Sequence, residues 1–188
     1  MTETTPAGHD ANRRALLVAA GVGAAVAVAL GAYASVHDGT NEATYQLFFT
    51  GTINLKVWFA TVAVALAGFQ IFSAMRMYGR ISWPANEPSW FGEAHRLSGT
   101  LAFLFSLPVA YHCLWALGFQ TDDTRSLIHS VAGCLFYGVF AAKVMAVRSK
   151  RLPGWTLPVA GGSAFALLSV IWASSAVWFW TEFEFPGF

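Results

Sequence analysis

Residues 15–36 contain no charged side chain, and four more apolar runs of similar length follow. A helix rises about 1.5 Å per residue, so about 20 apolar residues cross a hydrocarbon layer about 30 Å thick. No water is available there to pair with free N–H and C=O groups, so each run must satisfy its backbone internally, as a helix. No segment shows the alternating pattern of a barrel strand. The expected fold is therefore an all-α, polytopic transmembrane bundle forming one integral-membrane domain over residues 1–188. Its five spans are expected at roughly 15–36, 53–77, 93–119, 124–146 and 155–180.

Composition narrows the class further. The chain is 56% hydrophobic and 11% charged, against about 25% charged in soluble domains. A net charge of +1 offers no footprint for nucleic acid. No Asp or Glu lies mid-span, which argues against a proton pump or ion-coupled transporter. No serine–histidine–acid set, paired carboxylates or nucleotide-binding glycine loop is present. Cys113 and Cys134 lie inside apolar segments without CxxC spacing and read as small core residues.

The connections are readable too. Arg13 and Arg14 precede the first run, which reads as an uncleaved span. Pro84, Pro88, Trp83 and Trp90 mark a break at headgroup level before the third span. Pro108 sits inside that span and should kink it, freeing the Leu104 carbonyl. Asp122 or Asp123 is positioned to cap the fourth span. With the N-terminus cytoplasmic, Arg13, Arg14, Arg76, Arg80, Arg96, Lys143, Arg148, Lys150 and Arg151 fall inside. Only Lys56 and Arg125 fall outside, together with the acidic residues Asp38, Glu42, Asp122, Asp123, Glu182 and Glu184. This bias expects an extracytoplasmic C-terminus and a multi-pass protein of the bacterial cytoplasmic membrane.

The histidines carry the functional signal. His112 closes the third span and His129 opens the fourth, on either side of a short polar loop at residues 120–125. His112 is expected about 10 Å below the end of its helix, and His129 about 5–6 Å below the start of the next. Two imidazoles at nearly equal depth on neighbouring helices suit the axial positions of a haem and leave no open site for oxygen. Zinc suits them less, for want of further ligands. Gly133, one turn after His129, either admits a planar cofactor or packs two helices. Phe105, Phe136, Tyr111 and Trp115 are expected to line an apolar pocket around the pair, or to be ordinary core.

His95 lies seventeen residues before His112, near the inner face and about 100° off its direction. A second haem there would need a thioether from Met75, Met77 or Met145. Otherwise His95 forms an inner polar pocket with Arg96, Gln70 and Lys143, for a quinone headgroup or a lipid phosphate, or simply starts a helix at the interface. His37 is a substitute ligand or a hydrogen-bond donor.

The segments His95-Arg96-Leu97-Ser98-Gly99, Ala110-Tyr111-His112-Cys113 and Ile128-His129-Ser130-Val131-Ala132-Gly133 resemble the small membrane b-type cytochromes of the cytochrome b561 and ferric-reductase-like groups. The resemblance covers roughly residues 50–180 and implies non-covalent haem b and electron transfer. Those groups use four histidines for two haems, whereas this chain places three within its spans. The expected function is thus a b-type cytochrome subunit, an electron-transfer part of an oxidoreductase rather than a stand-alone enzyme. His112 and His129 are its expected metal ligands, and His95 a further cofactor contact. Electrons would pass between membrane quinol or a partner subunit and an extracytoplasmic redox protein. The alternatives are a cofactor-free accessory subunit of a larger membrane complex and a quinone- or lipid-binding protein.

Overall fold

The computed structural model of the chain describes residues 6–42, 45–85, 88–149 and 152–183. Every regular element among the described residues is helical: α1 (Pro6–Val36), α2 (Thr52–Met77), α3 (Phe91–His112), α4 (Thr124–Arg148), α5 (Thr156–Trp172) and the short α6 (Trp178–Glu182). α3 continues directly into a π turn, Cys113–Leu117, and α5 reaches α6 through a second π turn, Ala173–Val177. Five stretches are long and apolar enough to cross a membrane: Asn12–Val36, Thr52–Met77, Phe91–Leu117, Thr124–Arg148 and Thr156–Glu182. The five-span, all-α expectation therefore holds, with ends displaced by a few residues.

Successive helices alternate in direction. The end carrying the connection between α3 and α4 is called upper, and the opposite end lower. Arg13, Arg14, Arg76, Arg80, Arg96, Lys143 and Arg148 all belong to the lower half, and Lys56 and Arg125 to the upper half. Lys150, Arg151 and Glu184, which also entered the charge argument, lie outside the described residues.

The packing order is not the chain order. α1 packs on α4, α2 on α3, α4 on α5, and α2 also on α5. The buried core is mostly alanine, with Ala63, Ala67, Phe136, Ala164 and Leu168 forming its central cluster. Small side chains suit a bundle in lipid, where close backbone approach replaces the hydrophobic drive available in water. The tightest approach joins α1 to α4. A Cβ on Gly138 would lie 2.6 Å from the Gly23 carbonyl oxygen, and one on Gly23 would lie 2.7 Å from the Gly138 carbonyl oxygen.

α3 and α4 are consecutive, yet they are not a closely packed pair along their length. They meet through long side chains at mid-depth. Phe103 stacks on Phe140 at 4.2 Å, and the Tyr137 hydroxyl lies 2.9 Å from Ser106 Oγ and donates to the Ser106 carbonyl at 3.1 Å. Above that tie the two helices stand apart. Trp172 Nε1–H donates to Thr61 Oγ1 at 3.0 Å and fastens α5 to α2.

α3 runs through Pro108 and becomes irregular only one turn later, at the π turn. Tyr45 donates its hydroxyl to the Pro108 carbonyl. Burial pushes the Tyr45 phenol above its ordinary value, so it remains a protonated donor at neutral pH. Three successive carbonyls of the π turn each find a separate partner. His37 Nε2–H donates to Trp115 O at 3.0 Å, Asn41 N–H to Ala116 O at 2.9 Å, and the Gln120 amide to Leu117 O. Gly39 is required at this junction, since a Cβ there would lie 2.6 Å from Ala116 O.

Asp123 caps α4, one of the two caps expected from sequence: it accepts from Ser126 N–H at 3.0 Å and from Ser126 Oγ at 2.7 Å. These bonds, the hydroxyl one foremost, hold its carboxyl below the usual carboxylate range. A carboxyl made more acidic by folding stabilises the fold above its unfolded value of about 3.9, and that contribution is lost as pH falls through the folded value. Protection of the Ser126 and Leu127 amides, taken against the unstructured exchange rate at each pH, should therefore fall as pH drops through the folded value, and Asp123→Ala should show low protection at every pH.

Gly138→Leu should separate α1 from α4, lowering stability by about 1–3 kcal/mol or preventing folding. Gly133→Ala on the same helix meets nothing within 4 Å and should be near neutral. Thermal unfolding in detergent compares the two.

Candidate functional site

The gap between the upper halves of α3 and α4 is a cavity of about 300 Å³. Tyr137 and Ser106 form its floor, and the end of the first π turn, with Leu117 and Gly118, forms its upper wall. α3 presents Val109, Ala110, Cys113 and Leu114; α4 presents Arg125, His129, Gly133, Cys134 and Phe136. Lys56 of α2 and Trp178 of α6 complete the polar side. This size stands at the lower end of small-molecule and cofactor sites, which run from about 300 to 1,000 Å³.

His129 is the histidine on the cavity wall. Its Nδ1 lies 3.0 Å from Ser174 Oγ in the second π turn. Ser174 Oγ also lies 2.7 Å from the Val170 carbonyl oxygen and 3.1 Å from that of Ile171. Carbonyl oxygens only accept, so the single hydroxyl proton is committed to them. Ser174 therefore accepts from His129 Nδ1–H, and His129 Nε2 keeps its lone pair. A histidine held through one ring N–H with the other nitrogen unprotonated is the usual form of a metal ligand.

The cations converge on the same wall. Arg125 Nη1–H donates to the Ser174 carbonyl at 2.8 Å, and its guanidinium lies 3.9 Å over the Trp178 ring. Asp123 Oδ2 stands 3.8 Å from Arg125 Nη2, a looser pairing. Lys56 lies within electrostatic reach of both His129 and His112, and no carboxylate among the described residues pairs with it.

His112 sits differently. It is 8% exposed, but it does not line the cavity; its neighbour Cys113 does. Phe105, two turns earlier on the same face, meets Phe59 of α2 edge-on at 5.0 Å. His112 thus occupies the seam between α2 and α3, while His129 occupies the seam between α4 and the second π turn. Helical rise puts the two at similar depth, but they do not share the cavity wall. Among the described residues no group of three His, Cys, Asp or Glu side chains gathers as a metal cluster.

The expected aromatic lining holds in part. Phe136 lines the cavity, whereas Phe105 turns to α2 and Tyr111 and Trp115 turn outward, 51% and 41% exposed. The cavity face of α3 passes through residues 106, 110, 113 and 117, and Tyr111 and Trp115 lie off it by helical geometry. Gly133 resolves the choice left open by the sequence. A Cβ there would meet nothing within 4 Å, so this glycine faces the cavity and not a helix contact. Both cysteines are free and both line the cavity, which the sequence reading missed; their register on facing helices was the available signal. Ser174 was missed as well, because its role depends on a π turn. His37 stacks on Tyr33 at 5.0 Å and bonds the π turn, away from the cavity.

His95 lies in the lower half, half-buried, with Nδ1 2.7 Å from Ser73 Oγ of α2. Ser73 Oγ is 2.6 Å from the Phe69 carbonyl oxygen, so by the same reasoning His95 Nδ1–H donates and its Nε2 is unprotonated. Gln70 binds across the α2–α3 seam to the His95 carbonyl and to Ser98 Oγ at 2.8 Å. It is thus a helix fastener, and Gly99 makes room for it, since a Cβ there would lie 2.8 Å from Gln70 Oε1.

The fold is a bundle of five helices long and apolar enough to cross a membrane, with an embedded cavity on whose wall His129 stands. The chain belongs to the DUF6529 family, described as a family of unknown function, whose model matches residues 16–187. No curated protein matches the chain. No solved structure matches it either.

Small apolar thiosulfonate reagents should modify Cys113 and Cys134 through the cavity. Gly133→Leu, which places a side chain in that space, should slow the reaction about tenfold without unfolding the protein. Mass spectrometry of the labelled chain reads both rates.

Proposed function

We propose that the protein is a b-type cytochrome subunit of a membrane oxidoreductase, with haem b in the cavity between α3 and α4. The observation that carries this reading is His129, which stands on the wall of an apolar cavity while Ser174 holds its Nδ1, an arrangement that leaves the lone pair on Nε2. The remaining residues fit the group. Arg125 and Lys56 offer cations to carboxylate substituents, and Gly133 leaves space over the α4 backbone. His112, the other expected ligand, does not line the cavity and stands about 100° round α3 from Cys113, so its ligation is the part of this proposal that the His112 variant below decides.

Haem supplies one-electron redox chemistry when bound. The chain orients the ligand imidazole, lines the site with the apolar Phe136, Leu168 and Ile171, and places the cations Arg125 and Lys56 at it. Electrons would be exchanged with a membrane quinol or a partner subunit, and with a redox protein at the upper, acidic end. The concentration of bases at the lower end supports a cytoplasmic N-terminus and the bacterial cytoplasmic membrane as the location.

Optical spectra of the purified protein, oxidised and dithionite-reduced, test the proposal. The expected result is a sharp low-spin α-band. His129→Ala should abolish it, His112→Ala should convert it to a high-spin spectrum, and Gly133→Leu should lower haem content in a folded protein. A folded wild-type protein without haem, made where haem is abundant, would overturn the reading in favour of a cofactor-free accessory subunit.

A further inference from the structure

The lower half holds a second polar cluster that the cavity does not use. Lys143 lies inside span α4, half-buried, and no carboxylate among the described residues pairs with it. An unpaired cation within a span is costly and marks function more often than packing. Phe103 stacked on Phe140 fixes the register of α3 against α4, so Lys143 lies about 4.5 Å below that contact, on the side toward His95. His95 lies eight residues below Phe103, so the Lys143 backbone stands about 7.5 Å above the His95 level and its long side chain can snorkel down to it, while Arg96 is next to His95 on α3. Arg96 is exposed at the start of α3, and its guanidinium folds back toward Gly92.

These groups ask for a ligand with two properties. Two ammonium- and guanidinium-type donors call for an anionic oxygen, and phosphate suits both. His95 Nε2, with Ser73 committing the ring proton to Nδ1, has only a lone pair to offer and calls for a hydroxyl donor. A bare phosphodiester satisfies the first requirement but not the second. The depth, at the end of the bundle where bases gather, is that of lipid headgroups.

We propose that His95, Arg96 and Lys143 form a headgroup site for an anionic phospholipid that carries headgroup hydroxyls, of the phosphatidylglycerol type. The phosphate takes Lys143 and Arg96, and a glycerol hydroxyl donates to His95 Nε2. The site is independent of the cavity and of any cofactor there.

Native mass spectrometry of the delipidated full chain, titrated with defined lipids, tests this. Phosphatidylglycerol should bind at least about fivefold more tightly than phosphatidylcholine, and Lys143→Gln or Arg96→Gln should each cost about fivefold. Arg148→Gln, which removes an exposed base at the same end, should leave binding unchanged. His95→Phe should erase the preference for phosphatidylglycerol over phosphatidylmethanol, an anionic phosphodiester without headgroup hydroxyls. Equal binding of phosphatidylglycerol by wild type and both charge variants overturns the site, and so does equal binding of phosphatidylcholine. Displacement of the lipid by free glycerol phosphate would overturn the lipid source and leave a soluble phosphoester in its place. Circular dichroism and elution volume confirm that each variant is folded. Haem content should be unchanged in Lys143→Gln, so this proposal and the cavity reading stand or fall separately.

Discussion

The Tyr137 hydroxyl reaching Ser106 is the contact on which the arrangement of the upper half depends. Helices in lipid gain little from touching one another except through close packing and hydrogen bonds. Where glycines face each other, as at Gly23 and Gly138, backbones come together. Where a tyrosine and two stacked phenylalanines stand between them, α3 and α4 are held apart. The gap survives because α2 and α5 close it from the sides and because small residues, Ala110 and Gly133, line it. The cavity is therefore a product of spacing rather than of missing mass.

Both π turns border this cavity, and each changes the register of a helix at the level where a ligand would sit. A π turn offers backbone groups that a regular helix would use internally, and such turns concentrate at functional sites. In the first, His37, Asn41 and Gln120 satisfy the carbonyls and tie the loop after α1 over the top of the cavity. In the second, Ser174 and the carbonyl beside it hold His129 and Arg125 respectively. The irregular backbone thus positions the two side chains that give the cavity its chemistry.

The same hydroxyl device appears at both depths. Ser174 and Ser73 each spend their proton on a carbonyl four residues back, and each then accepts from a histidine of the neighbouring helix. Two imidazoles in different environments consequently share one tautomer. At the upper level the ring stands on the wall of an apolar cavity that Lys56 and Arg125 also line. At the lower level the ring stands in the α2–α3 seam, at the end of the bundle where bases gather. What distinguishes the two sites is what surrounds the lone pair, and that follows from the spacing of α3 and α4 above and below their mid-depth tie.

The number and type of spans were legible in the sequence, because length and apolarity alone decide whether a segment must be a helix in lipid. The Asp123 cap and the gathering of bases at one end were legible for the same reason, being local or cumulative properties of the chain. So was the similar depth of His112 and His129, which follows from helical rise. Which way each imidazole turns was not, since helical rise does not say which neighbour a face meets. α3 packs on α2, which takes His112 into their seam, and α4 packs on α5, which gives His129 to Ser174. Tyr111 and Trp115 turned outward for the same reason, and Gly133 turned into open space rather than against a helix. The sequence by itself determined five membrane helices and the depth of their polar residues. Only the tertiary structure decided which of those residues share a cavity, because that depends on the order in which the helices pack, and in lipid that order is set by small differences in close backbone fit.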